Sequence, residues 1–225
     1  MALKKSRQER ASADVFDGGS PAGAKPPTEA RLRSVGAGAF FRPRDLESLG
    51  YAFRDLRGWV EAGHVEQVAR GLYRLTTAAP TEHHDLAAVC ARVPQAIVCL
   101  LSALRVHGLG TQLPHQVWIA IPHKARAPRI PEFPIRLIRF SGAALRYGVD
   151  EIVLEGEGVR AKITSPARTV VDCFRFRRHV GRDVALEALR EAIRDRKASA
   201  DEIWRAAEVC RTRSLVEPVL EALAG

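Results

Sequence analysis

The sequence predicts an α+β fold, and the order of its apolar segments is the main observation behind that prediction. Between residues 39 and 75, a short apolar strand, two helical segments and a two-stranded ribbon follow one another. Beyond residue 76, apolar or alternating segments typical of strands precede a series of amphipathic helical segments. The first order is that of a winged helix-turn-helix, and the second is that of a mixed sheet covered by helices. We therefore expect a flexible basic leader (residues 1–27), a winged-helix domain (28–76) and an α+β C-terminal domain (77–225).

The N-terminal domain begins with two short helical segments. Thr28 is placed to cap a weak helix from Glu29 to Val35, because its hydroxyl can accept a hydrogen bond from the first turn. Pro43 fits the first position of a helix over Pro43–Ser48, where its missing N–H has no intrahelical partner. Gly50 then provides the backbone freedom that a tight turn requires.

The next segment, Tyr51–Ala62, predicts the helix that would enter a DNA groove. Its apolar residues recur at a spacing of three or four, which predicts one buried stripe made of Phe53, Leu56, Trp59 and Val60. A strand containing Val65 and Val68, a hairpin tip at Ala69–Gly71 and a second strand at Leu72–Leu75 follow as the wing.

A winged helix reads base edges with residues near the start of its recognition helix, while basic wing residues reach phosphates. The candidate DNA contacts are therefore Arg42, Arg44, Tyr51, Arg54, Arg57, Arg70 and Arg74. The alternative is a structural or protein-binding wing whose surface arginines are merely solvated. A net charge of +9 and a pI near 9.9 favour a polyanionic partner.

Composition also indicates where the protein works. The four cysteines are widely spaced and predict neither disulfides nor a zinc site, so we expect small core residues in a reducing compartment. No apolar run reaches the length of roughly 18 residues that a membrane helix needs, and the N-terminus has no apolar signal core. We expect a cytoplasmic protein that binds no membrane.

The C-terminal domain should start with a helix from Thr81 to Arg92. Further along the chain, the apolar pattern predicts a strand that runs into a helix over 96–106. Four more strands are predicted at 117–121, 135–140, 152–154 and 159–164, and helices should follow from Ser165 to the C-terminus. Segment 135–140 reads as a half-exposed strand with arginines outward. Together with a nearby loop and a later helix, it supplies the candidate partner-binding residues Arg129, Arg136, Arg139 and Arg168.

Arg168 and two glutamates of the C-terminal domain also have a structural interpretation. Arg168 and Asp172 are four apart on a helix, so they can form an ion pair instead of leaving Arg168 available to a partner. Glu155 and Glu157 lie in a glycine-rich turn and are expected to face solvent.

Candidate catalytic residues are few. His83, His84 and Asp85 are adjacent in a helix and would point in different directions, so they do not predict a metal site. Ser102 and His107 have no acidic residue nearby to orient the histidine, and a helix-end role for His107 is favoured. We expect no catalytic residues, no metal and no cofactor, and hence no enzyme.

Five motifs follow one another along the chain: ARGLYRL (69–75), LLSALRVHGLG (100–110), HQVWIAIP (115–122), ITSPARTVVDCF (163–174) and ALEALREAI (185–193). Together they resemble AbiEi-type antitoxins of type IV toxin–antitoxin systems. The resemblance covers residues 29–225. It implies an N-terminal domain that binds inverted repeats in double-stranded operator DNA and represses its own operon. It also implies a C-terminal domain needed to counteract a nucleotidyltransferase toxin.

The sequence leaves two alternatives to an antitoxin. One is a stand-alone winged-helix transcriptional regulator without a toxin partner, and the other is a nucleic-acid processing enzyme whose basic sheet face handles substrate. For DNA binding, a homodimer or a pair of monomers on two half-sites is expected.

Overall fold

A computed structural model describes residues 24–224 of the chain, so the predicted flexible leader lies largely outside the described residues. The fold is mixed α+β, as the sequence predicts. The helices and strands between residues 24 and 75 are α1 (Glu29–Ser34), β1 (Phe40–Phe41), α2 (Pro43–Glu47), α3 (Phe53–Glu61), β2 (Val65–Ala69) and β3 (Leu72–Leu75). This order is consistent with a winged helix-turn-helix.

Side-chain caps explain where these short helices begin. Thr28 caps α1 as predicted, because its Oγ1 accepts a hydrogen bond from the backbone N–H of Arg31 at 3.3 Å. In α2 and α3 the cap comes from an aspartate in the first turn instead. Asp45 accepts from the N–H of Arg42 at 2.7 Å, and Asp55 accepts from the N–H of Ala52 at 2.9 Å. Both carboxylates also lie at the positive ends of their helices.

The second part contains a five-stranded mixed sheet in the order β6-β5-β4-β8-β7. Parallel pairs (β5 with β6, β4 with β8) alternate with antiparallel ones (β4 with β5, β7 with β8). Its elements are α4 (His84–Arg92), β4 (Ile97–Val98), α5 (Leu100–His107), β5 (Val117–Pro122), β6 (Ile135–Phe140), β7 (Val149–Val153), β8 (Arg160–Thr164), α6 (Pro166–Arg175), α7 (Arg177–Val180), α8 (Arg182–Arg194), α9 (Ala200–Val209) and α10 (Arg213–Ala224).

The sheet is covered on both faces. The segment from α1 to β3 and helix α4 pack on one face, while α5, α6 and α8–α10 pack on the other. Strand β5 shows the division directly, because Ile119 and Ile121 belong to the first core and Trp118 and Ala120 belong to the second. A strand buried on both faces needs a continuous apolar run, which the VWIAI segment provides.

The N-terminal part is joined to the turn between β7 and β8 by a close backbone contact. The N–H of Ala39 donates to the carbonyl of Glu157 at 2.7 Å. A Cβ on Gly38 would lie 2.1 Å from that same carbonyl oxygen, so only glycine fits there. The expectation that Glu157 faces solvent is wrong: its side chain is fully buried, and its carboxylate accepts hydrogen bonds from the backbone and hydroxyl of Thr81.

Candidate nucleic-acid interface

Helix α3 presents one buried side and one exposed side. Leu56 and Trp59 are buried, with 1% and 5% of their surface exposed. The opposite side consists of five exposed residues at helical spacing, Phe53, Arg54, Arg57, Gly58 and Glu61. The prediction that Phe53 belongs to the buried stripe is wrong, because 63% of its surface is exposed. Its position at the first turn, where the chain enters the helix, places it outside the core.

Arg57 lies in the middle of this exposed side. Its Nε donates to Glu61 Oε1 at 2.9 Å, with the two side chains 78% and 66% exposed. An ion pair this exposed contributes little to stability, because both charges remain hydrated and screened. Arg57 can therefore exchange Glu61 for another anion at small cost.

Arg42 and Arg44 lie at the start of α2. Arg44 is exposed and Arg42 is half-buried. Burial lowers the pKa of Arg42, and the neighbouring Arg44 lowers it further. Arg92, at the end of α4, acts in the same direction, although Asp45 opposes it. Cations crowded in this way form a surface that attracts an anion.

The hairpin of β2 and β3 places its two predicted arginines differently. Arg70 is exposed at the tip, beside Gly71 with a φ of +70°. Arg74 is buried, which corrects its assignment as a DNA contact. Its guanidinium lies over the Phe40 ring and donates to the carbonyl of Ala78 and, at 3.3 Å, to Glu66.

Tyr51 is held in place by its neighbours. Its hydroxyl accepts a hydrogen bond from Arg31 Nη1 at 2.9 Å, and its ring meets Trp59 edge-on at 5.1 Å between centroids. The Arg31 guanidinium also lies over the Tyr51 ring. The sequence interpretation missed this role of Arg31, since nothing in the local pattern indicates a contact across 20 residues.

The three predicted partner-binding arginines on or near β6 are exposed but do not form one face. Arg136 lies over Trp118, whereas Arg139 donates to the carbonyls of His123 and Ala125 at 2.7 and 2.6 Å. Positions three apart in a strand point to opposite faces of the sheet, so Arg136 and Arg139 cannot act together. Arg129 lines a cleft together with Ala125, whose carbonyl accepts the hydrogen bond from Arg139.

Arg168 is not accessible to a partner, which corrects its assignment as a partner-binding residue. It is fully buried, and its Nε donates to Asp172 Oδ2 at 2.9 Å while Nη1 donates to the carbonyl of Tyr147 at 2.7 Å. Its guanidinium also lies over the Phe140 ring. The ion pair that the spacing allowed is the one observed.

The remaining motif residues connect elements of the fold. Ser102 Oγ accepts from the N–H of Trp118 at 2.8 Å, which joins α5 to β5. His107 Nε2 donates to the carbonyl of Thr164 at 2.7 Å, which joins α5 to β8. Burial lowers the pKa of His107, so the neutral ring that donates one hydrogen bond is favoured. Ser102 and His107 thus each bind a backbone group of a different strand, and they do not form the hydrogen-bonded pair that a catalytic serine and histidine would make.

Two further expectations concern metals and thiols. Within residues 24–224, no group of three or more His, Cys, Asp or Glu side chains is arranged to hold a metal ion. The four cysteines are free and buried, as predicted: Cys90, Cys99, Cys173 and Cys210. No helix in this part of the chain is long and apolar enough to cross a bilayer.

In fold, the chain is similar to the crystal structure of the RV2827C protein from Mycobacterium tuberculosis, with a TM-score of 0.52 and 16% sequence identity over 89% of this chain and 80% of that chain. No curated protein matches the chain in sequence. A family model described as "Transcriptional regulator, AbiEi antitoxin" matches residues 37–76. The matched segment holds α2, α3 and the β2–β3 hairpin, and it confirms the resemblance to AbiEi antitoxin transcriptional regulators over these residues.

Proposed function

We propose that this protein is a sequence-specific DNA-binding regulator that represses its own operon, with residues 28–76 acting as a winged helix-turn-helix. In this proposal α3 enters the major groove of an operator with inverted repeats, and a homodimer or two monomers occupy the two half-sites. The observation that carries the proposal is the exposed side of α3, where Arg54 and Arg57 project from a helix whose other side is anchored by Leu56 and Trp59.

Residues flanking α3 supply the phosphate contacts in this proposal. Arg44 lies exposed on α2, and Arg70 lies exposed at the tip of the hairpin whose first strand packs against α3. Arginines on both sides of a helix in the groove can contact the backbone of each strand, which fixes the register of the helix without reading sequence. Glu61 opposes phosphate at the same surface, so its pairing with Arg57 must open on binding.

A salt titration tests these contacts. Arg57→Ala and Arg70→Ala should each weaken binding to the protein's upstream DNA and reduce the slope of log affinity against log salt concentration by about 0.9 per lost phosphate contact. Arg190→Ala, an exposed residue on α8, is the matched control and should leave the slope unchanged. An unaltered slope for both interface variants would remove them from the DNA contact surface.

We assign antitoxin activity against a nucleotidyltransferase toxin to residues 77–225, on the family resemblance. Arg129 and Arg139 are the exposed arginines proposed for that contact, and Arg136, which points to the opposite face of the sheet from Arg139, is left out of it. Co-expression of the full chain with a neighbouring toxin gene, scored by growth, tests the assignment. Rescue by the Arg57→Ala chain together with loss of rescue in an Arg129→Ala/Arg139→Ala chain would separate the two activities; equal rescue by both would exclude these arginines.

A further inference from the structure

Phe53 is an unusual residue for its position on the surface. It is the first residue of α3, and 63% of its surface is exposed, although the removal of a phenylalanine ring from water is favourable. The N–H of the preceding Ala52 is bound to Asp55, so the start of the helix holds the Phe53 backbone in place. Among the described residues, Phe53 belongs to neither of the two apolar clusters, so burial in the core does not explain an aromatic residue here.

Gly58 is a second unusual residue on the same side of the helix. Glycine inside a helix is unfavourable because of the backbone freedom that folding removes. A Cβ at Gly58 would meet nothing within 4 Å, so packing within the protein does not require a glycine. A surface that approaches the α3 backbone closely would require one. Phe53 and Gly58 therefore point independently to contact with an external partner.

The neighbouring charges indicate which partner this is. Phe53 and Arg57 are four residues apart and share one row of the helix, while Arg54 and Gly58 form the adjacent row. One exposed aromatic ring beside two arginines does not form the contiguous apolar patch expected of a surface that binds an apolar protein face. Duplex DNA fits better, because it offers phosphates for the arginines and, in the major groove, the methyl group of thymine for an apolar side chain.

We propose that Phe53 is a specificity-determining residue that packs against the 5-methyl group of a thymine in the major groove. This inference rests on the proposed insertion of α3 into DNA, and it adds the chemical group that the helix recognises. Residues at the start of a recognition helix are the ones that reach base edges, which is where Phe53 lies. The bare backbone at Gly58 lets the helix sit deep enough for that contact.

Substituting deoxyuridine for thymine tests the contact directly, because it removes the methyl group and keeps Watson–Crick pairing. The full chain is titrated against its own upstream duplex containing thymine and against the same duplex containing deoxyuridine throughout. We expect the deoxyuridine duplex to bind about fourfold more weakly per contacted methyl, which is the effect of losing one buried methyl-sized group. Phe53→Ala should bind both duplexes equally and no better than the wild-type chain binds the deoxyuridine duplex.

Leu113→Ala provides the matched control, since Leu113 is also exposed, at 69%, but lies outside residues 28–76. It should retain the wild-type preference for thymine, and a melting curve should show that Phe53→Ala is folded. If the wild-type chain binds both duplexes equally, or if Phe53→Ala keeps the preference, the inference is wrong although DNA binding stands. If the wild-type chain does not distinguish its upstream DNA from unrelated DNA, the proposed function itself fails.

Discussion

Arg168 and Arg57 show how one local pattern serves two purposes. Each has a carboxylate four residues later, and in each pair the Nε–oxygen distance is 2.9 Å. The Arg168–Asp172 pair is completely buried, whereas the side chains of Arg57 and Glu61 are mostly exposed. A spacing of four residues allows both pairs, but burial depends on what packs over the helix and cannot be deduced from the spacing. The assignment of Arg168 to a partner surface failed for that reason, and the same reasoning applies to Arg74.

The buried pair predicts a large loss of stability when one member is removed. Arg168→Leu leaves the Asp172 carboxylate without its cation, which should lower the free energy of unfolding by about 3–5 kcal/mol in chemical denaturation. The double variant Arg168→Leu/Asp172→Leu should recover much of that loss, because it removes the isolated charge. A single variant as stable as the wild-type protein would show that the pair does not stabilise the fold.

The same variant should respond to pH. Burial raises the pKa of Asp172, and Arg168 opposes that rise, so Arg168→Leu raises it further. A carboxyl group whose pKa is higher in the folded state binds a proton there that the unfolded chain, with a pKa of about 3.9, has already lost. The stability deficit of Arg168→Leu should therefore shrink as the pH falls from 7 toward 4. A deficit that is constant over this range would exclude the mechanism.

At the scale of elements, the sequence predicted types well and boundaries within a few residues. Strand β6 was placed at its observed bounds, and α6 begins after Ser165, whose hydroxyl accepts from the N–H of Arg168 at 3.4 Å. The sequence does not single out the four-residue helix α7, because one turn carries no periodic pattern. Phe53 was misplaced because a spacing of three residues from Leu56 is compatible with either edge of an apolar stripe.

Helix α3 predicts opposite effects of one substitution on stability and on binding. Gly58→Ala should raise the free energy of unfolding by up to about 1 kcal/mol, because alanine favours helix and its methyl group meets open space. The same methyl group would stand between the helix and the DNA, so affinity for the upstream duplex should fall. Denaturation and a DNA titration measure the two effects. Tighter or unchanged DNA binding would show that α3 does not approach DNA at Gly58.

At the scale of the molecule, one apolar core extends from the N-terminal elements to the sheet. Phe40 and Leu72 belong to the same cluster as Val98 and Ile163, and α4 lies against both β1 and β3. The composition of each segment predicts most of the buried apolar residues, but not that the segment from α1 to β3 covers one face of the sheet. Such long-range packing depends on shape complementarity, for example at Gly38, and leaves little trace in local sequence.

Gly38 provides a test of that packing. Gly38→Ala would place a methyl group 2.1 Å from the Glu157 carbonyl oxygen, so the backbone must shift and stability should fall by about 1–3 kcal/mol. Gly58→Ala makes the same chemical change in open space and is the matched control in thermal unfolding. If Gly38→Ala has the same melting temperature as the wild-type protein, the chain at Gly38 need not approach the β7–β8 turn so closely.

The most direct test of the DNA-binding proposal is a gel shift of the full chain with its own upstream DNA beside an unrelated fragment of equal length. At fixed physiological salt, we predict that the upstream fragment binds about a thousandfold or more tightly, as specific sites do. Equal affinity for the two fragments would contradict sequence-specific recognition by α3.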